Sequence, residues 1–313
     1  MSEQPPKNKK KNLIHAFKQQ ELNSWKPILR PRIVIPILFV TGIIFLITGF
    51  VLLMQMMPLQ TVSTRYDDQC MGKENCEITF EIKETMKKPV YFYYELTNFH
   101  QNHRRFLKSR CDSQLRGEDI SFSDIADCQP LQSRNNKKDY KYIYKPCGLI
   151  SWNTFNDTYS LMTESKNNVS FTSEGISWNS DVGKKFKNPT ETLDPMDETV
   201  IQSDYTDEHF IVWMRVESLP NFRKLYGIIK DNDLEKGTYT AQIENNFNST
   251  TFHGTKSLVF LTTTWTGSRN YFISLTYMSA GIFLIVIGIA FLIKHLVSPR
   301  NLGDLKLIDW YND

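Results

Sequence analysis

Five cysteines and three glycosylation sequons are the residues of this 313-residue sequence with the clearest chemistry. The cysteines are Cys70, Cys76, Cys111, Cys128 and Cys147, and the sequons begin at Asn156, Asn168 and Asn248. Disulfides persist in oxidising compartments, and N-linked glycans are added to lumenal segments. Because both kinds of residue occur in one middle segment, we expect that segment to fold outside the cytosol with disulfides.

Two other groups could hold a metal ion, but each has a simpler explanation. His100 and His103 have no third ligand nearby, so they are better read as solvated polar residues. Asp231 and Asp233 could form the metal–nucleotide pair of a lumenal glycosyltransferase, but acids in a turn explain them better. The motifs of zinc proteases, serine hydrolases, P-loop proteins and phosphorylated ATPases do not occur. We therefore expect no enzymatic activity, no metal, no cofactor and no nucleic-acid partner.

Two apolar runs, residues 33–57 and 273–297, are long enough to cross a bilayer and contain no Asp, Glu or Arg. Residues 1–32 carry eight Lys and Arg against two acids, which predicts a cytosolic N-terminus. The predicted order is a cytosolic tail (1–32), a span (33–57), an exoplasmic or lumenal domain (58–272), a span (273–297) and a cytosolic tail (298–313). The chain is thus expected in a membrane of the secretory pathway.

The sequence of the middle segment predicts mostly β-strands. Alternation and β-branched or aromatic residues predict strands over 77–82, 90–95, 209–216, 238–243 and 258–265. Residues 221–229 place apolar side chains at helical spacing after a proline and predict a short amphipathic helix. Residues 98–109 are polar and fit either a helix or a linker. The predicted fold class is a membrane protein with two transmembrane helices and a β-rich, antiparallel, α+β domain with disulfides.

Glycines in the spans suggest close helix packing. Gly42 and Gly49 are seven residues apart in the first span, as are Gly281 and Gly288 in the second, so each pair shares one helix face. Small residues on one face let another helix approach closely. We expect these faces to contact a partner's helices, although glycine is also common in membrane helices in general.

The sequence resembles the cell division control protein 50 family, also called the ligand-effect-modulator family. The resemblance runs in order from about residue 16 to residue 304. Its clearest blocks are Ala16-Phe-Lys-Gln-Gln-Glu-Leu22, Leu96-Thr-Asn-Phe99, Pro146-Cys-Gly148, Phe155-Asn-Asp-Thr158, Phe210-Ile-Val-Trp-Met-Arg215 and Phe222-Arg-Lys-Leu-Tyr226.

The family consists of accessory β subunits of type IV P-type ATPases, so the resemblance implies a non-catalytic role. The chain would form a one-to-one complex with the ATPase, contact membrane phospholipid, and be needed for folding, exit from the endoplasmic reticulum and lipid flipping. A tail contact through Phe17 and Trp25 would lie on the pump's cytosolic face.

The resemblance also implies roles for the cysteines and for one sequon. It pairs Cys70 with Cys76 and Cys128 with Cys147, and it leaves Cys111 as a free or capped thiol with no assigned role. Asn156 matches a family glycosylation site, whereas Asn168 and Asn248 rest on the sequon pattern and on the topology.

A two-span ligand-gated channel subunit is the alternative from another class of protein. Such channels share the two spans, the internal termini and a disulfide-bearing outer domain. They usually have a polar pore helix, whereas both spans here are uniformly apolar apart from Lys294 and His295 at one end. The channel hypothesis is therefore the weaker of the two.

Overall fold

A computed structural model describes residues 17–20, 30–136, 142–189 and 204–299. The chain divides into two compact units. One comprises Met1–Leu53 with Phe272–Asp313 and is called here the span unit. The other, Met54–Tyr271, is called the middle domain.

Helices occupy both ends of the described chain and short stretches between them. They are α1 (Pro31–Met56), α2 (Arg104–Lys108), α3 (Asp112–Leu115), α4 (Leu149–Trp152), α5 (Glu208–Met214) and α6 (Tyr271–Val297). Only α1 and α6, among the described residues, are long and apolar enough to cross a membrane. They overlap the two predicted spans to within two residues at each end. Helices satisfy all their backbone hydrogen bonds internally, which a lipid environment requires.

The middle domain contains two antiparallel sheets. The strands are β1 (Thr61–Arg65), β2 (Asn75–Ile82), β3 (Val90–Leu96), β4 (Thr158–Thr163), β5 (Phe222–Ile229), β6 (Gly237–Glu244) and β7 (Lys256–Thr262). One sheet has the order β1-β7-β3-β5, and the other has the order β2-β6-β4. Two helices at the chain ends with an antiparallel, disulfide-bonded α+β domain confirm the predicted fold class.

Aromatic side chains from both sheets form the core of the middle domain. Phe80 on β2 stacks on Phe260 of β7 with ring centres 5.2 Å apart, and Phe260 stacks on Phe92 of β3 at 4.7 Å. The strict alternation of buried and exposed residues along β2 places its apolar side on this core. The two sheets therefore pack face to face around one aromatic layer.

The strand predicted over residues 209–216 is wrong, because this segment forms helix α5. The side chain of Asp207 accepts a hydrogen bond from the backbone N–H of His209 and so caps the helix. Five consecutive residues, Phe210 to Met214, are buried. A helix that is buried all round has no amphipathic pattern, so its sequence looks like that of a buried strand.

The helix predicted over residues 221–229 is also wrong, because this segment forms strand β5. Its pairing with β3 shifts register at Phe92 and Tyr93, so that Phe92 lies opposite Gly227 and Tyr93 lies opposite Leu225. Tyr226 is therefore the extra residue of a β-bulge. The bulge changes the phase of alternation in the middle of the strand and produces an apparent helical spacing of the apolar residues.

The other predicted elements differ mainly at their ends. The strands predicted over 77–82, 90–95 and 238–243 lie within β2, β3 and β6, and the last predicted strand ends at Thr262 as β7. Residues 98–109 contain the short helix α2. Strands β1 and β4, which are five and six residues long, were not predicted from the sequence.

Candidate functional site

Both disulfides join the predicted cysteine pairs. The bond between Cys70 and Cys76 ties the turn after β1 to the start of β2. The side chain of Asn245 donates to the carbonyls of Cys70 and Lys73 at 3.0 and 3.1 Å, so the loop closed by this disulfide is also fixed to the end of β6.

The second disulfide, between Cys128 and Cys147, lies in a small separate core. Its buried members are Cys111, Ile120, Ile125, Cys128, Ile143 and Cys147. Among the described residues of this region, the regular elements are short helices and one isolated β-bridge, between Ser133 and Ile143, so few backbone ladders hold it together. The disulfide is consequently a main link within this part of the middle domain.

Cys111 is the free thiol of the chain, and it is buried in the same small core. Burial raises the pKa of this thiol, although backbone N–H groups of Gln114 and Ser113 favour the thiolate. Its sulfur donates weakly to the carbonyl of Asp124 at 3.7 Å. A buried thiol with a raised pKa is a poor nucleophile, so Cys111 acts here as a packing residue.

The three sequon asparagines are all exposed, as N-glycosylation requires. Asn156 lies two residues before β4, and Asn168 follows the turn after that strand, where it forms an isolated β-bridge with Met162. The side-chain oxygen of Asn248 accepts hydrogen bonds from the backbone N–H and the hydroxyl of Thr250, the third residue of its own sequon. Exposure is compatible with glycans at these sites, and their occupancy stays a prediction.

A buried ion pair involves Asp157, the residue that follows Asn156. Lys256 Nζ is 2.6 Å from Asp157 Oδ2, and the two side chains are 2% and 0% exposed. The carboxylate also accepts hydrogen bonds from the Tyr66 hydroxyl and from two backbone N–H groups, those of Asn246 and Phe247. Since Asp157 precedes β4 and Lys256 begins β7, the pair joins the two sheets.

The remaining contacts of Lys256 complete this network. Its ammonium group donates to Asn245 Oδ1 and to the carbonyl of Phe247, both at 2.5 Å. Burial lowers the pKa of Lys256, and Asp157 acts in the opposite direction. Burial also raises the pKa of Tyr66 well above its usual range, which keeps the phenol protonated as a donor to Asp157.

A second buried lysine caps helix α5. Lys224 Nζ on β5 donates to the carbonyl of Val212 at 3.0 Å and to that of Arg215. A cation at this position stabilises the carbonyl end of a helix. Burial lowers the pKa of Lys224 to about 8, against the attraction of Glu217. This side chain positions α5 against the sheet.

No group of three His, Cys, Asp or Glu residues capable of holding a metal occurs among the described residues. Asp233 instead accepts hydrogen bonds from Lys87 Nζ and from the backbone N–H of Lys88, both at 2.9 Å. Asp231 and Asp233 thus lie in a surface turn with lysine partners.

Each of the four glycines of the spans faces the other span of this chain. A Cβ added to Gly42 would lie 3.1 Å from the carbonyl of Gly281, and one added to Gly281 would lie 2.8 Å from that of Gly42. Gly49 similarly faces Met278, and Gly288 faces Phe39. These glycines let α1 and α6 pack closely on each other. Their contact with a second chain stays a prediction, and the pairing of the two spans accounts for them without it.

A family model described as LEM3 (ligand-effect modulator 3) family / CDC50 family matches residues 58–301. The chain belongs to the CDC50/LEM3 family. It is 38% identical to ALA-interacting subunit 3 of Arabidopsis thaliana, over 97% of this chain and 92% of that protein. It is 30% identical to the phospholipid-transporting ATPase accessory subunit CRF1 of Saccharomyces cerevisiae, over 99% and 92%. It is 31% identical to cell cycle control protein 50A of Mus musculus, over 89% and 87%.

The structure explains two blocks that carry the resemblance to the CDC50/LEM3 family. In Pro146-Cys-Gly148, the glycine has a φ of +103°, and a Cβ there would lie 2.1 Å from the carbonyl oxygen of Ser109. Only glycine fits this position. In Phe155-Asn-Asp-Thr158, the aspartate is the buried partner of Lys256, so this block carries more than a sequon.

The two buried lysines, Lys224 and Lys256, were not predicted from the sequence. A lysine within a strand that is otherwise apolar, as Lys256 is in β7, could have indicated a buried charge in need of a partner. Of the predicted tail contacts, Phe17 is described and is 69% exposed, whereas Trp25 lies outside the described residues.

The sequon that contains the buried aspartate, Asn156-Asp157-Thr158, can be tested by substitution. Asn156→Gln should remove one N-linked glycan, because the side chain is exposed and stands ahead of Asp157 and Thr158. Gel mobility before and after enzymatic deglycosylation measures this, with wild type as reference. A band that runs with the wild type before deglycosylation would contradict either the use of this sequon or the predicted topology.

Proposed function

We propose that this chain is the non-catalytic accessory subunit of a type IV P-type ATPase that moves phospholipid across a membrane. Membership of the CDC50/LEM3 family over residues 58–301 is the observation that carries the proposal. The name of one relative states such a role, a phospholipid-transporting ATPase accessory subunit, and another relative is named as an ALA-interacting subunit. The phosphoryl-transfer chemistry would belong to the partner chain.

The proposed complex contains one copy of this chain and one ATPase. In it the accessory subunit supports folding of the pump, its exit from the endoplasmic reticulum and its lipid-flipping activity. Both termini lie in the cytosol, and the middle domain lies on the exoplasmic or lumenal side. The host membrane is that of the endoplasmic reticulum, Golgi, endosome or cell surface.

Two parts of this chain are proposed to contact the pump: the exposed side of α1 and the N-terminal tail. Gly42 and Gly49 face α6, and the opposite side of α1 is lined by exposed aliphatic side chains such as Ile44 and Ile47, which are 53% and 59% exposed. A helix of the pump can pack on this side, while the glycine faces hold the two spans together. The tail containing Phe17 and Trp25 would contact the cytosolic face of the pump.

Affinity purification in mild detergent, followed by mass spectrometry and blue-native electrophoresis, tests the proposal. The expected result is a one-to-one complex with a P-type ATPase. A variant in which the tail from Phe17 to Trp25 and the exposed aliphatic side of α1 are both replaced should lose the partner. Retention of the partner by that variant would overturn the proposed contacts but not the subunit role, and absence of any ATPase from the wild-type complex would overturn the role.

A two-span ligand-gated channel subunit is the alternative function. Its expected assembly is a homotrimer, which the same electrophoresis would reveal. The close pairing of α1 and α6 through glycines, with no acidic or basic side chain along these helices except Arg32, Lys294 and His295 near their ends, favours the accessory subunit.

A further inference from the structure

A tight turn between β7 and α6 carries an unusually exposed tryptophan. Trp265 is 81% exposed, more than any other large apolar side chain of the middle domain among the described residues. Thr264 and Gly267 exchange backbone hydrogen bonds of 3.0 and 2.9 Å across the turn, and Gly267 has a φ of +103°. The glycine permits this tight geometry, which holds Trp265 at the tip of the turn.

Two contacts hold this turn beside the end of helix α1. Trp265 Nε1 donates to Gln55 Oε1 at 2.8 Å, and Gln55 lies in the last turn of α1. The backbone N–H of Asn270 donates to the sulfur of Met56, the final residue of that helix, at 3.3 Å. The indole is therefore fixed at the level where the first span ends.

That level corresponds to the lipid headgroups. Helix α1 has 26 residues, which is about 39 Å at a rise of 1.5 Å per residue, whereas a bilayer's hydrocarbon core is about 30 Å thick. The end of α1 thus extends into the interfacial layer. Helix α6 begins at Tyr271, only six residues after Trp265, so the chain cannot carry the turn far from the bilayer.

The chemistry of the turn matches that layer. An indole with a bonded N–H and an exposed ring suits the boundary between water and hydrocarbon. Arg269 is exposed, donates from Nε to the Tyr271 hydroxyl at 2.7 Å, and has its guanidinium 5.1 Å from that ring centre. An arginine held in this way can donate its other N–H groups to lipid phosphate.

We propose that residues 264–269 form an interfacial anchor that inserts Trp265 among the phospholipid headgroups of the leaflet facing the middle domain. The occupant is the lipid surface rather than a second protein, because the turn is continuous with α6 and is bonded to the last turn of α1. The anchor fixes the height of this part of the middle domain above the bilayer, independently of which side of the membrane the domain occupies.

Quenching of tryptophan emission by brominated lipid tests the anchor. The full chain is reconstituted, alone and with its co-purified ATPase, in nanodiscs of phosphatidylcholine or of phosphatidylcholine brominated near the headgroup end of its acyl chains. Trp265→Phe should lose part of the emission that the brominated lipid quenches. Trp178→Phe is the matched control, because Trp178 is 57% exposed but stacks under the Arg215 guanidinium at 3.2 Å. Its quenched emission should equal that of the wild type.

Two results would overturn the proposal. Equal quenching in the wild type and in Trp265→Phe would show that the indole does not reach the lipid. A Trp265 signal that is quenched in the chain alone but shielded in the complex would show that the turn contacts the ATPase instead. If Trp265→Phe and Trp178→Phe unfold at the wild-type midpoint, misfolding is excluded as the cause of any difference in quenching.

Discussion

Replacing Asp157 with asparagine should lower the free energy of unfolding of the middle domain by about 3–5 kcal/mol, the usual cost of breaking a buried ion pair. The substitution keeps the shape of the side chain and preserves the sequon at Asn156, because Thr158 is unchanged. It leaves the Lys256 ammonium buried with only neutral acceptors, the Asn245 side chain and the Phe247 carbonyl. Thermal or denaturant unfolding of the purified protein measures the loss.

An exposed pair of the same residue types provides the control for this prediction. Lys87 and Asp233 are 2.9 Å apart, but the lysine side chain is 82% exposed, so Lys87→Gln should leave the unfolding midpoint unchanged. The double variant Asp157→Asn with Lys256→Met should recover part of the loss, because it removes both buried charges. An Asp157→Asn protein as stable as the Lys87→Gln control would show that the buried pair contributes nothing.

The features that the sequence predicted well depend on local patterns. The spans are long apolar runs, and β2 alternates strictly, so in both cases the side-chain pattern alone determines the element. The cysteine pairs came from the family resemblance, and the structure confirms both bonds. The spans and β2 could be predicted from local pattern and the disulfides from the resemblance, so none of them required a distant contact to be known in advance.

Helix α5 was predicted as a strand and strand β5 as a helix, because tertiary contacts determine the pattern of apolar residues in both segments. Every residue from Phe210 to Met214 is buried, so α5 has no polar face to show the helical period. The bulge at Tyr226 interrupts the alternation of β5, and that bulge exists only in the pairing with β3. Neither effect can be seen without the neighbouring strands.

Contacts between residues far apart in the chain could likewise not be predicted from the sequence. Asp157 and Lys256 are 99 residues apart, and nothing local indicates that the two charges meet. The spacing of Gly42 and Gly49 correctly placed both on one helix face, but it could not say which helix that face would meet. The structure gives α6 of the same chain as the neighbour.

Loss of the disulfide between Cys128 and Cys147 should destabilise the middle domain by about 2–5 kcal/mol and retain the chain in the endoplasmic reticulum. The two cysteines are 19 residues apart, and in the loop-entropy model closing a loop of about 15 residues contributes about 3 kcal/mol. Among its described residues, this region has a core of six buried side chains and short helices to compensate. Unfolding midpoints and the fraction of chain with mature glycans measure the effect in Cys128→Ser.

Cys111→Ser separates the loss of the covalent bond from the loss of a buried thiol. Cys111 lies in the same core and is unpaired, so its substitution changes packing and polarity but breaks no bridge. The double variant Cys128→Ser with Cys147→Ser removes the bond without leaving a new thiol that could pair with Cys111. If the bridge itself stabilises this region, the double variant is retained and Cys111→Ser matures normally. In the loop-entropy model, the stabilisation comes from the covalent cross-link, which only the double variant loses. Equal maturation of the double variant and of Cys111→Ser would therefore contradict a structural role for the disulfide.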